Sequence, residues 1–192
     1  MKDFKLNLFD YLSDKHKLVS WQKESKSTTE YKQIKKYIIR DFDEAYDLDS
    51  FLFELEEDEL GPNKVRHTYI AETETGEAVG FLSFQRPREH RNPGGDVYIE
   101  FLMVNPKYQH QGYGTAILNE LFSNMKRYAL SKPATVSTMF KRKNESVKGL
   151  FEKFGFNIEK RPLSFYYDAD INMDTLEKNA NELNQSNESQ PE

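Results

Sequence analysis

The chain has 192 residues, a formal net charge of −5, 31% charged and 37% hydrophobic residues, and no cysteine. That length suits one domain with a sizeable core, and the absence of thiols excludes disulfides, thiolate metal sites and a cysteine nucleophile. No run nears the roughly 18 apolar residues of a membrane helix, the start MKDFKLNLFDYLSD lacks a signal peptide's apolar stretch, and the acidic balance argues against general nucleic-acid binding, so a cytoplasmic, metal-free protein is expected.

Residues 1–22 are ambiguous. Phe4, Leu6 and Leu8 alternate as in a short strand, and Lys17–Trp21 reads as another. Helical signals start after Ser27-Thr28-Thr29, which can cap, and Tyr31, Ile34, Ile38 and Phe42 keep helical spacing. A second helix is expected from about Asp43 to Leu60, with Ala45, Leu48, Leu52 and Leu55 on one face and Gly61-Pro62 as its stop. Val65–Glu72 and Glu77–Phe84 flank the turn Glu74-Thr75-Gly76 as a hairpin. Gln85–Asp96 is a loop rich in arginine, proline and glycine. Residues 96–104, DVYIEFLMV, have the apolar, β-branched and aromatic content of a central strand. Regular alternation puts Tyr98, Glu100, Leu102 and Val104 on one face and the wholly apolar Val97, Ile99, Phe101 and Met103 on the other. Glu100 thus projects where a polar residue needs a reason.

After Asn105-Pro106, the loop Gln109-His110-Gln111-Gly112-Tyr113-Gly114 opens directly onto a helix with the apolar stripe Ile117, Leu118, Leu121, Phe122, Met125 and Ala129. Pro133 separates that helix from a strand over Thr135–Phe140. Asn144 can cap a short helix that turns Val147, Leu150, Phe151 and Phe154 inward and ends at Gly155. Phe156–Ile158 and Leu163–Tyr167 read as the last two strands. From about residue 171 hydrophobicity collapses. A domain over 1–170 and a disordered tail over 171–192 are expected, with one weak helical turn near Met173–Leu176.

The unit that carries chemistry is strand, proline, QHQGYG, helix. A helix start leaves about four N–H groups without a partner inside the helix, and the helix dipole adds partial positive charge there. Glycines at 112 and 114 let a phosphate approach the backbone without meeting a Cβ. This is not the phosphate loop of nucleotide hydrolases, because Thr115-Ala116 follows Gly114 in place of Lys-Ser/Thr. Nor is it a dinucleotide fingerprint, because position 117 is Ile.

Residues 98–118, YIEFLMVNPKYQHQGYGTAIL, resemble motif A of the GNAT N-acetyltransferases, and Asn144–Phe156, NESVKGLFEKFGF, resembles motif B. The order of elements from about residue 15 to 167 also fits. The resemblance implies an α/β fold of α+β type: a single mixed, twisted six- to seven-stranded sheet with helices on both faces. It implies acetyl-CoA as cosubstrate and a primary amine, on a small molecule or a protein, as acceptor. Carried over by position, the N–H groups of Gln109, His110, Gln111, Gly112, Tyr113 and Gly114 hold the coenzyme diphosphate, and Thr115 adds a hydroxyl. Leu102 and Val104 offer backbone groups to the pantetheine arm along a strand that bulges and splays, and one of their N–H groups polarises the thioester carbonyl. Glu100 is the candidate base that deprotonates the amine. Asn144 caps its helix and is a candidate coenzyme contact. Lys141, Arg142 and Lys143 suit either the 3′-phosphate or a solvated loop.

The chain departs from the pattern at Phe151, where the family often has a tyrosine that protonates the leaving thiolate. Tyr108, Tyr113 or water are the substitutes. For the acceptor, ten acidic residues between Asp41 and Glu59 favour a cation, whereas Arg86, Arg88, His90 and Arg91 favour a carboxylate or phosphate. Two alternatives stand beside the enzyme reading: a non-catalytic acetyl-CoA-binding module, and a toxin-like enzyme that acetylates aminoacyl-tRNA. Homodimerisation is left open.

Overall fold

The structure is a computed structural model and describes residues 3–27, 56, 66–85, 97–125 and 135–188. The helices expected over 28–60, the acidic run they carry and the arginine-rich loop lie outside the described residues, apart from Glu56.

The described chain begins with β1 (Lys5–Leu8) and α1 (Tyr11–Ser27). A strand was expected at Lys17–Trp21, and helix only beyond Ser27. The observed helix covers the first and ends where the second begins. Its register explains why: Leu18 and Trp21, three apart, both turn inward, while Lys17 pairs with Asp14 at 2.8 Å and Glu72 at 3.1 Å on the polar flank.

The hairpin is β2 (Arg66–Glu72) and β3 (Ala78–Gln85), followed by β4 (Val97–Val104), a 3-10 turn (Pro106–Tyr108) and α2 (Tyr113–Ser123). Then come β5 (Thr135–Lys141), α3 (Glu145–Lys153), β6 (Asn157–Lys160), β7 (Tyr166–Asn172) and α4 (Met173–Glu188). Among the described residues they form one mixed sheet of seven strands, in the order β1-β2-β3-β4-β5-β7-β6. All pairs are antiparallel except β4 with β5.

Each face carries its own apolar cluster. On one, Ile117, Leu118, Leu121 and Phe122 of α2 and Phe151 and Phe154 beside α3 pack on Tyr69, Leu82, Phe84, Val97, Ile99 and Val136. Phe122 meets Phe154 edge to face at 5.0 Å, a geometry worth more than area burial alone. A side chain on Gly80 would collide with Ile117, so its missing Cβ is what lets α2 lie directly on β3. On the opposite face, Leu18 and Trp21 of α1 pack with Phe9, Ile70 and Phe81.

The C-terminal region differs most from expectation. Leu163 is fully exposed in a turn at φ 54°, and β7 starts only at Tyr166. It alternates strictly, Ala169 and Ile171 inward, Asp168 and Asp170 outward. The tail expected to be disordered from 171 is instead the end of β7 and then α4. Met173, Leu176 and Ala180 are buried there against the α2 side of the core, and Asn179 Nδ2 donates to the carbonyl of Phe154 at 2.8 Å. Three apolar residues suffice for a polar helix because the surface they meet is already assembled; composition alone does not register that. Residues 189–192 lie outside the described set.

Candidate active site

The site is built around one irregularity in β4. Against β3, Phe84 pairs with Ile99 and Ser83 pairs with Phe101, so Glu100 is an extra residue with no opposite number. This β-bulge shifts the alternation. Leu102 joins Val97 and Ile99 on the α2 face, and Phe101 and Met103 join the α1-side cluster. The face assignment expected from regular alternation therefore holds up to Glu100 and inverts after it.

At the same level β4 parts from β5. The parallel ladder consists of Val97–Val136, Tyr98–Ser137 and Ile99–Thr138 and goes no further. Thr138 Oγ1 donates to the Ile99 carbonyl at 2.9 Å, the last tie before the strands separate. β5 remains paired with β7 along its whole length, to Lys141–Tyr166. Among the described residues the segment Phe101–Val104, including Leu102 and Val104, thus has a ladder only on its β3 side. The expected splay is present.

The fork leads to the glycine loop. Asn105 anchors the start: its N–H donates to Val79 O at 3.0 Å, its Nδ2 to Ala78 O at 2.9 Å, and its Oδ1 accepts from Lys107 N at 3.1 Å. Gln109 Nε2 donates to Val104 O at 3.1 Å, and Gln111 Nε2 to Lys107 O at 2.9 Å. So the two glutamines brace the loop with their side chains, and Val104 O is engaged by Gln109. His110 and Gly112 are left-handed, at φ 58° and 86°. Alternation of that kind turns successive N–H groups toward one concavity. Gly112 is the N-cap of α2, without a side-chain cap, and the first turn contains no acidic residue. The first bond at the helix start runs from Ala116 N to Gly112 O, so the N–H groups of residues 113–115 precede the helical ladder. A Cβ on Gly112 would meet nothing within 4 Å, so the approach is open. One on Gly114 would lie 3.6 Å from Val104 and Leu150, an ordinary contact that a methyl group satisfies. These features fit an anionic diphosphate at Gln109–Thr115.

Glu100 sits far from solvent. Its two oxygens accept from Arg66 Nε at 2.8 Å and Nη2 at 2.9 Å, and from Gln85 Nε2 at 2.7 Å, with Ser83 Oγ at 3.4 Å. The Glu100 side chain is 1% exposed and that of Arg66 is 11%. A residue expected to receive a proton is thus already matched by a bidentate cation. Arg66, Ser83 and Gln85 were not singled out in the sequence. Only the sheet register brings them to Glu100, and no local pattern signals it.

Beside the bulge, on the same face, Tyr98, Ser137, Met139, Arg161, Asp168 and Asp170 line a hollow of about 300 Å³. Burial pushes the Tyr98 phenol above its ordinary value, and the charges of Glu100 and Asp168 add to that.

The remaining candidates are placed as follows. Asn144 caps α3, its side chain accepting from Val147 N at 3.2 Å. Arg142 is committed to main-chain carbonyls of Tyr166 and Arg161. Phe151 is 2% exposed and stacked on Phe140 at 5.7 Å, a core residue. Tyr108 packs edge to face with Tyr113 at 5.3 Å, and its hydrogen bond to Glu77 raises its pKa.

Residues 24–156 match the family described as "Acetyltransferase (GNAT) family". The chain therefore belongs to the GNAT acetyltransferases. An acetyltransferase from Thermus thermophilus has a similar fold, with TM-score 0.64, 15% identity, and coverage of 89% of this chain and 97% of that one. So does a spermidine N-acetyltransferase from Vibrio cholerae in complex with CoA and spermine, with TM-score 0.63, 13% identity, and coverage of 91% and 98%. A PaiA N-acetyltransferase from Thermoplasma acidophilum in complex with coenzyme A gives 0.58, 17%, and 89% and 99%. No curated protein matches the chain.

Proposed function

We propose that this protein transfers the acetyl group of acetyl-CoA to a primary amine that carries a further positive charge. The observation that carries the reading is the fork: β4 leaves β5 after Ile99, and its freed stretch runs into the open loop at Gly112. N–H groups of residues 109–115 hold the diphosphate, and the backbone of Leu102–Val104 lines the fork for the pantetheine arm. Bound there, acetyl-CoA supplies an activated thioester. A backbone N–H in that stretch polarises its carbonyl as negative charge builds on the oxygen.

The acceptor side is the hollow on the bulge face. Asp168 and Asp170 outnumber Arg161 in its lining, which suits an ammonium group at a distance from the reacting amine. The similar fold of the spermidine enzyme that binds spermine supports a polyamine-like acceptor. Attack needs the neutral amine, whose pKa in free form is about 10.4. With Glu100 engaged by Arg66, Gln85 and Ser83, water takes that proton. Phe151 has no hydroxyl and Tyr108 is bonded to Glu77, which leaves Tyr113 or water to protonate the leaving thiolate.

The test is thiol release from acetyl-CoA with spermidine, short peptides and aminoglycosides as acceptors, compared with calorimetric binding of coenzyme A. Spermidine is expected to give the highest kcat/KM, with Asp168→Asn and Asp170→Asn raising its KM and leaving coenzyme A affinity unchanged. Coenzyme A binding without transfer to any amine replaces this reading with a non-catalytic binding module.

A further inference from the structure

On the reading of the fork as the slot for the coenzyme, we propose that Arg66 is a positioning residue for acetyl transfer, acting through Glu100 to hold the bulge that parts β4 from β5. A bulged residue has no ladder partner, so something other than the ladder has to fix it. For Glu100 that is a set of donors from two other strands: Arg66 from β2, and Ser83 and Gln85 from β3. Arg66 is directly opposite Gln85 in the sheet, and Gln85 is opposite Tyr98, so three adjacent strands are fastened at the level where β4 turns away. The fork between Arg66 and the carboxylate is bidentate and almost dry, which fixes orientation as well as charge.

The alternative state is concrete. Without the bulge, Glu100 would take a ladder position, Leu102 and Val104 would exchange faces with Phe101 and Met103, and β4 could continue alongside β5. That realignment would close the fork and rotate the backbone groups of residues 102–104 away from the coenzyme. The side-chain cluster opposes it. Glu100 on this account works by geometry and does not receive the amine's proton.

The experiment uses Arg66→Met, Glu100→Gln, the double variant and Arg66→Lys. Three readouts are coenzyme A affinity by calorimetry, the pH profile of acetyl transfer, and peptide-resolved hydrogen exchange. Each neutralising single variant should speed exchange over residues 100–105 while leaving 135–141 unchanged, weaken coenzyme A binding, and lower turnover about 100-fold, the usual effect of an ångström-scale misplacement. The double variant, which leaves no buried charge unpaired and guards against simple misfolding, should be no worse than the poorer single one, because both remove the same interaction. Arg66→Lys keeps the charge without the fork and should recover part of the turnover. The shape of the pH profile should be the same in all. Wild-type exchange and affinity in Arg66→Met overturn the proposal. So does a Glu100→Gln variant that binds coenzyme A normally but loses a limb of the pH profile, since that marks Glu100 as a direct base. If wild type itself fails to bind coenzyme A, the fork reading fails, and the exchange data alone still decide whether Arg66 holds the bulge.

Discussion

The two halves of β4 have the same apolar character and opposite fates. Tyr98 and Ile99 are laddered on both edges, to β3 and to β5. Among the described residues Phe101–Val104 is laddered to β3 alone, and Glu100 to neither neighbour. Since β5 keeps its full register with β7 and β4 keeps its ladder with β3 past the bulge, the two sides of the sheet part as units. The sheet is therefore two slabs joined at three residue pairs, and the line where they part is the slot proposed for the coenzyme. Hydrophobicity does not separate the two halves; a single extra residue with a buried charge does.

That contrast can be broken from either side. The largest effect should come from Gly112→Val, which strikes the open half at its far end. A side chain there stands in an approach that is now empty, at φ 86°. Loss of one charge-assisted backbone hydrogen bond, about 1.5–3 kcal/mol, should weaken coenzyme A binding at least tenfold in calorimetry. A left-handed valine should cost a further 1–2 kcal/mol or so of folding stability. Unchanged affinity would remove the loop from the diphosphate site. A smaller effect should follow Thr138→Val, which attacks the closed half. Ile99 O loses its side-chain donor, so stability should fall by about 1 kcal/mol and exchange should quicken over residues 97–99. If protection there is unaltered, the hydroxyl is not what ends the ladder. The smallest effect should appear only in alkali. The Tyr98 phenol titrates above its ordinary 10.0 in the folded state, through burial first and then the charges of Glu100 and Asp168. Its contribution is complete below that value and lost as pH climbs through the folded pKa. Wild type should therefore lose Tm more steeply than Tyr98→Phe above pH 10.0, and parallel curves would show that the phenol is not held protonated.

Much of this architecture was legible because local pattern and tertiary role coincide. The hairpin, the central strand, the loop at Gly112, the start of α2, β5 and the Asn144 cap all follow from spacing and turn residues that the structure repeats within a residue or two, while the far end of α2, expected to reach Ala129, lies outside the described residues. The family match, over residues 24–156, contains these segments. What was missed depends on partners distant in sequence. Nothing near Glu100 announces a bulge, so alternation carried past it puts Leu102 and Val104 on the wrong face. Arg66 is 34 positions away and reaches Glu100 only across the sheet. Asp168 and Asp170 lie beyond the strand expected over Leu163–Tyr167, although outward charges are compatible with a strand whose other face holds Ala169 and Ile171. α4 looked too polar to order, because its three inward residues count only once α2 and Phe154 are there to receive them.

The strand order has a consequence for how the chain is made. β7 lies between β5 and β6, so β6 emerges from the ribosome before the strand it pairs with among the described residues exists. Until residues 166–172 follow, the edge of β5 destined for β7 presents bare N–H and C=O groups. At ordinary elongation rates that interval is on the order of seconds. Both ladders, β5 to β7 and β7 to β6, then close together, and α4 starts at the next residue to cover the joint. Slow codons between Asn157 and Asn172 would prolong the period in which that edge can capture a strand from another nascent chain.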